Sequence, residues 1–150
     1  GSEMCIRDSV YCSQGDRWHD GFNLDCHVLH PDAVPIHGTD NDKSLVLRVT
    51  LAGRKLLLTG DVEGHVSRAL ADEAGHCDWL LAPHHGGEQS EAERWMKRTQ
   101  PRWFCVSSKQ SKPMAELQKG RVQCWNTAEH GAISFHFRGE QAIVTTWLKP

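Results

Sequence analysis

Apolar and polar positions alternate through "GFNLDCHVLHP", where Phe22, Leu24, Cys26 and Val28 share one side. That period of two predicts a strand ended by Pro31. "SLVLRVT" (44–50) and "KLLLTG" (55–60) flank the short stretch "LAGR". They predict a β-hairpin in which Gly53 supplies the permissive backbone. The second strand is almost wholly apolar, as expected of a strand buried on both faces. The period turns helical in "DVEGHVSRALADEAG", with Val62, Val66, Ala69, Leu70 and Ala74 on one face and Gly75 as the stop. "DWLLAP" predicts another buried strand. "SEAERWMKRT" predicts a helix opened by Ser90 and Glu93 as a capping box, with Ala92, Trp95 and Met96 on one face. "RWFCVSS" predicts a strand and "KPMAELQKG" a short helix stopped at Gly120. "VQCWNT", "AISFHF" and "AIVTTW" complete a β-rich tail, the last two joined through "RGEQ". "DAVPIHGTDND" is polar and turn-rich, which predicts a loop. Residues 1–9 show no period and are expected to be a cloning or read-end scar, which leaves 10–150 as one α/β unit.

Composition agrees with that picture. A chain of 150 residues suits about one domain with a real core. No apolar run approaches the ~20 residues of a membrane helix, and no signal-peptide pattern opens the chain, so this piece is expected to be soluble. The six cysteines are scattered without a C-x-x-C pair, which excludes a zinc ribbon or a thioredoxin motif. Cys26, Cys105 and Cys124 stand among alternating apolar neighbours and are expected to fill the core, with disulfides left open. A net charge of −2 argues against a strongly basic nucleic-acid binder. Basic residues nevertheless concentrate between Arg94 and Arg121, where Glu116 is the single acid. That segment is either a solvated face over a packed core or a track facing phosphates.

Two strand ends carry candidate chemistry. "LLLTGD" closes one apolar strand with Gly60-Asp61, and "LLAPHH" closes the next with His84-His85. If the two strands are parallel neighbours joined by the intervening helix, their carboxyl ends share one sheet edge, where open α/β sheets place ligands. A carboxylate and one or two imidazoles converging there fit a zinc or manganese half-site. The plainer reading makes Asp61 a helix N-cap and the histidines turn residues. Adjacent residues at a strand end project to opposite sides, so one imidazole is expected at the metal edge and the other in a structural or substrate contact. Gly86 and Gly87 are candidates for a sharp turn with φ > 0. His65, His130 and His136 are expected on a helix surface, in a turn and in a strand, and His19, His27 and His30 show no ligand spacing.

The order of these pieces resembles a known family. "CSQGDRWHDGFNLDCHVLHP", "NDKSLVLRV", "LLLTGDVE", "WLLAPHHGG", "QPRWFCVSS" and "NTAEHGAISF" are similar to the C-terminal part of the DNA-internalisation competence protein ComEC, from about Val10 to Trp147. That part is a metallo-β-lactamase-like domain, and the resemblance implies an αββα sandwich with metals at the open edge of two sheets. It implies hydrolysis of the DNA strand that is not taken up, with Asp61, His84 and His85 as metal-binding and catalytic residues. Asn41 matches a polar residue that shapes the site, and Arg102, Lys109 and Lys112 are candidates for contact with the DNA backbone. The implied metal is zinc or manganese, and no small-molecule cofactor is expected. The implied partners are DNA, the N-terminal half of the same domain and a membrane channel domain. The parent would sit in the bacterial inner membrane with this domain on its periplasmic or extracellular side.

Two departures qualify the resemblance. The family's first metal motif, H-x-H-x-D-H, is absent, and a later Gly-His-Pro appears here as Ser111-Lys112-Pro113. The chain is therefore expected to be the C-terminal part of a domain, truncated at its N-terminus. The alternative is a degenerate, non-catalytic module that supports a DNA-uptake channel or binds DNA. A catalytic zinc normally has three protein ligands, and this chain offers one carboxylate and a histidine pair. The purified 150-residue chain should therefore cleave neither single- nor double-stranded DNA in zinc or manganese, as read on a gel; metal-dependent cleavage would refute the truncation.

Overall fold

The structure is a computed structural model and describes residues 11–32, 38–110, 122–138 and 141–148. The predicted helix within 112–120 and Lys112 itself lie outside the described residues. The described chain forms nine strands: β1 (Arg17–His19), β2 (Leu24–His30), β3 (Val46–Leu51), β4 (Arg54–Leu58), β5 (Trp79–Leu81), β6 (Trp103–Val106), β7 (Gln123–Asn126), β8 (Ile133–Arg138) and β9 (Gln141–Thr146). Its helices are α1 (Gly64–Glu73), α2 (Ala92–Thr99) and α3 (Thr127–His130). β1 to β7 make one sheet in sequence order, antiparallel from β1 to β4 and parallel from β4 to β7. β8 and β9 pair separately as an antiparallel hairpin.

Local sequence explains most of this. The β3–β4 hairpin turns at Ala52 (φ 49°) and Gly53 (φ 81°), so alanine shares the left-handed conformation expected of glycine alone. The parallel strands need crossovers, and α1 joins β4 to β5 while α2 joins β5 to β6. Register puts Leu57, Leu80 and Phe104 on one face of the sheet. Both helices pack there, with Val66, Ala71 and Trp95 in the same apolar cluster. Ala69 is exposed, and Ser67 and Ala71 take the buried positions of α1. On the opposite face Phe135 of the hairpin meets Trp79, Trp103 and Trp125 edge-on, at centroid distances of 5.9, 6.4 and 6.3 Å. A helix layer, a large mixed sheet and a small second sheet therefore stack in that order, the α/β arrangement expected. The apolar strand β4 is only partly enclosed, since Leu57 is buried but Leu56 and Leu58 are intermediate.

Several local expectations need correction. Phe22 is 89% exposed and precedes β2, so the alternation holds only for Leu24, Cys26 and Val28. Ser90 does not open a capping box: Glu91 stands in the cap position of α2 in left-handed conformation, with no side-chain cap. Ser90 instead belongs to a buried polar relay. Trp95 Nε1 donates to Ser67 Oγ (2.8 Å), Ser67 Oγ donates to the Ser90 carbonyl (2.7 Å), and Ser90 Oγ donates to the Gly87 carbonyl (2.6 Å). His30 is not a bystander in packing, because its buried ring places Nε2 2.6 Å from the Asp42 carbonyl. Cys26 and Cys105 are buried as expected, Cys124 is half-buried, and Cys77 joins the core. Burial pushes the Cys77 thiol up to about 11 and the Cys105 thiol up to about 12, so both are inert packing groups at neutral pH.

Among the described residues no helix is long and apolar enough to cross a membrane. The Ser67 relay gives a stability test. Ser67→Ala strands the Trp95 N–H and the Ser90 carbonyl inside the α1–α2 contact, so urea unfolding should show a loss of about 1–3 kcal/mol. An unchanged midpoint would remove the relay from the list of stabilising contacts.

Candidate functional site

The carboxyl ends of β4 and β5 are fastened together before any side chain of interest appears. Thr59 is fully buried and its hydroxyl donates to the Leu81 carbonyl at 2.8 Å. The His84 backbone N–H donates to the Gly60 carbonyl at 3.1 Å. Gly60 has φ 57°, and an added Cβ would stand 3.0 Å from Ser44 Cβ and 3.1 Å from the Leu45 carbonyl oxygen. Only glycine fits that approach without displacing backbone. Asp61 follows, with its N–H donated to Ser44 Oγ at 3.2 Å. Asp61 is not a helix N-cap, because α1 starts at Gly64 and Glu63 occupies the cap position without a side-chain cap.

The turn at Pro83–Gly86 is made by the histidines themselves. His84 (φ 44°, ψ 47°) and His85 (φ 53°, ψ 23°) are both left-handed, Gly86 continues at φ 68°, and Gly87 returns to φ −62°. Gly86 behaves as expected and Gly87 does not. Consecutive left-handed residues swing the two side chains apart, and the ring centroids lie 6.4 Å from each other at an interplanar angle of 62°. His85 Nε2 stands 3.6 Å from Asp61 Oδ1, and its Nδ1 is 2.7 Å from the Ser107 carbonyl at the end of β6. His84 turns to Glu63 instead, with Nδ1 2.6 Å from Oε2. Asn41 Nδ2 donates to the other oxygen of that carboxylate at 3.2 Å.

The chemistry of the His85 pair is specific. A carbonyl can only accept, so His85 Nδ1 carries the proton and a neutral ring presents a lone pair at Nε2. That lone pair and the Asp61 carboxylate are then two acceptors facing each other at 3.6 Å. A cation, or a second proton on the ring, satisfies both. Asp61 and His85 thus fit as two ligands of a divalent ion, with the Ser107 carbonyl in the outer position that fixes a ligating imidazole. Among the described residues no group of three or more His, Cys, Asp or Glu side chains is gathered closely enough to hold a metal.

The basic candidates separate. Lys109 lines a cleft of about 460 Å³ with His85, Ser107, Ser108, Gln110 and Thr127. Arg102 precedes β6 while Ser107 follows it, so Arg102 lies at the opposite sheet edge, roughly 16 Å away at ~3.3 Å per residue. Its guanidinium sits 4.6 Å from the Trp103 ring centroid. Arg94 and Arg98 both pair with Asp72 of α1, and the Arg94 hydrogen bond holds that carboxyl below its usual range. The segment from Arg94 to Lys109 is therefore mainly a solvated, ion-paired face, with Lys109 at the site. His65 and His136 are exposed, on α1 and β8, as expected. His130 ends α3 with its ring 5.1 Å from that of Trp125. Burial, then Arg17 and Arg48, lower the His27 pKa. Sequence reading missed Glu63 and Ser107. Glu63 was visible as the second carboxylate of "GDVE", whereas a backbone carbonyl leaves no sequence signal.

Comparison with known proteins agrees with the motif reading. The chain is 27% identical over 126 residues to ComE operon protein 3 of Bacillus subtilis, covering 77% of this chain and 16% of that protein. It is 31% identical over 102 residues to competence protein ComA of Neisseria gonorrhoeae, covering 65% of this chain and 14% of that protein. The chain thus matches about one-seventh of the length of these relatives, and its resemblance to the ComEC family is borne out. No family model matches. A crystal structure described as a metal-dependent hydrolase from Parabacteroides distasonis superposes with a TM-score of 0.56 at 14% identity. It covers 78% of this chain and 56% of that one, a likeness of fold consistent with the metallo-β-lactamase-like arrangement.

Gly60 offers a test of the fastening that precedes the site. Gly60→Ala forces a left-handed alanine against the Leu45 carbonyl, and chemical denaturation should show a loss of about 1–3 kcal/mol. A stability equal to that of the parent chain would mean that the two loops are not rigidly tied.

Proposed function

We propose that this chain is part of a metal-dependent phosphodiesterase domain that acts on DNA during uptake. The reading extends to degradation of the non-transported strand, beside a membrane channel and on the outer side of a bacterial inner membrane. The observation that carries it is the Asp61–His85 pair, two acceptors facing each other at a parallel-sheet edge with the histidine fixed from behind by Ser107. Its support from relatives is the likeness to two competence proteins and to a hydrolase fold.

Asp61 and His85 would hold zinc or manganese. Such an ion supplies Lewis acidity at a phosphoryl oxygen and brings the pKa of water toward ~7. The protein's own part is orientation. Parallel strand ends hold the carboxylate and imidazole at one edge, and the cleft beside them admits a phosphodiester with Lys109 at its rim. One ammonium gives weak, salt-sensitive attraction to the backbone rather than tight capture. The rival is a non-catalytic module of the same fold that supports the channel or binds DNA. Ser111-Lys112-Pro113 in the place of the family's Gly-His-Pro favours it.

Calorimetric titration with zinc or manganese separates the two. The chain should bind one ion weakly, and Asp61→Asn and His85→Ala should each weaken binding by about tenfold or more. Indifference of binding to both substitutions would transfer support to the rival.

A further inference from the structure

The loop that leaves β6 is held from the neighbouring strand by two side chains. The β6–β7 ladder ends at the Val106–Asn126 pair, and the backbone beyond it leaves the sheet. Thr127 extends the pairing by one step: its hydroxyl accepts from the Ser108 N–H at 2.9 Å and donates to the Ser108 carbonyl at 3.0 Å. Asn126 is 1% exposed, and both ends of its amide are used. Its Nδ2 donates to the Gln110 carbonyl at 3.3 Å, and its Oδ1 accepts from the Ala128 N–H at 2.9 Å. Ser108 Oγ accepts from the Gln110 N–H at 3.1 Å. Backbone groups on both sides of Lys109 are therefore fixed, although Lys109 itself is exposed.

We propose that Asn126 and Thr127 are positioning residues that hold the 107–110 loop as one wall of the cleft beside His85, so that the Lys109 ammonium meets a phosphodiester there. The proposal rests on the reading of this cleft as a phosphodiester site. The cleft is lined by the loop and by Thr127, so the hydroxyl that ties Ser108 stands at the boundary of the space a ligand would enter. The loop is tied from its other flank as well, because His85 Nδ1 lies 2.7 Å from the Ser107 carbonyl. Lysine is a cation on a flexible four-carbon stem. With the backbone beneath it already fixed, only the stem has to be ordered when a phosphate arrives, which lowers the cost of the contact. A buried amide such as that of Asn126 is costly unless its donors and acceptor find partners. Here the donor is used on the loop and the acceptor on the first turn of α3, so the loop's position is coupled to the end of β7.

Fluorescence anisotropy of a labelled single-stranded oligonucleotide, titrated with the 150-residue chain in EDTA at several low salt concentrations, reads phosphate contacts without any metal. Lys109→Ala should weaken binding severalfold and reduce the salt slope by about one. Thr127→Val keeps the side-chain shape, removes the hydroxyl, and should reduce the slope by a similar amount. Lys109→Ala added to Thr127→Val should then weaken binding further by less than about twofold, since both act on one contact. Thr127→Ser should restore the parent slope. A role in packing alone would lower stability in urea and leave the slope unchanged. Should Thr127→Val not fold, amide exchange on the wild-type chain decides instead: the Ser108 N–H should be protected, and free exchange there would overturn the proposal. A Thr127→Val slope equal to that of the parent, or two effects that simply add, would overturn the positioning role and leave the Lys109 contact standing. No binding by the wild-type chain, or a slope indifferent to Lys109→Ala, would remove the phosphodiester reading of the cleft and the proposal with it.

Discussion

The parallel pairing of β4 with β5 is the constraint on which the rest of the edge depends. Parallel neighbours put two carboxyl ends side by side, and α1 has to cross one face of the sheet to achieve it. Once the crossover is made, the Gly60 carbonyl receives the His84 N–H and the Thr59 hydroxyl reaches the Leu81 carbonyl. Asp61 and the histidines are thereby set within a few ångströms although more than twenty residues separate them in the chain. A different pairing of these strands would leave the same residues present and the edge unassembled.

The sheet can offer this edge because its two faces are occupied differently. The helix side is packed around Trp95, Phe104 and Leu80, and the polar relay through Ser67 is hydrogen-bonded at each step. The hairpin side is aromatic, with Phe135 among three tryptophans. Both sets of contacts grip the flat faces and leave the strand ends free. The loops that emerge there carry function without exposing the core.

Left-handed backbone at two successive histidines is the unusual feature of the edge. Non-glycine residues adopt it at a cost of order 1 kcal/mol or more, and it persists where surroundings over-determine it. Here the surroundings are Gly60, Glu63 and Ser107, which hold the His84 backbone and the two rings in turn. An extended pair would send the rings to opposite faces; this turn sets the His84 ring beside the Glu63 carboxylate and the His85 ring on the Ser107 carbonyl.

The sequence by itself determined most of the elements, though not β1 or α3, and the two motifs that follow β4 and β5. Period-two and helical patterns are local, so the strands at 24–30, 46–51 and 54–58 and the helices after Asp61 and Ser90 were legible, as was the α/β class. "TGD" and "PHHGG" were legible as strand ends because polar residues abruptly follow apolar runs. The tertiary structure alone decided that Asp61 faces His85 rather than capping α1, that His84 belongs to Glu63, and that Arg94 and Arg98 belong to Asp72. It also placed Arg102 at the wrong edge and Lys109 at the right one. The reason is physical: propensity and period record each residue's neighbours along the chain. A contact between side chains twenty residues apart depends on strand register and crossover, which no local pattern encodes.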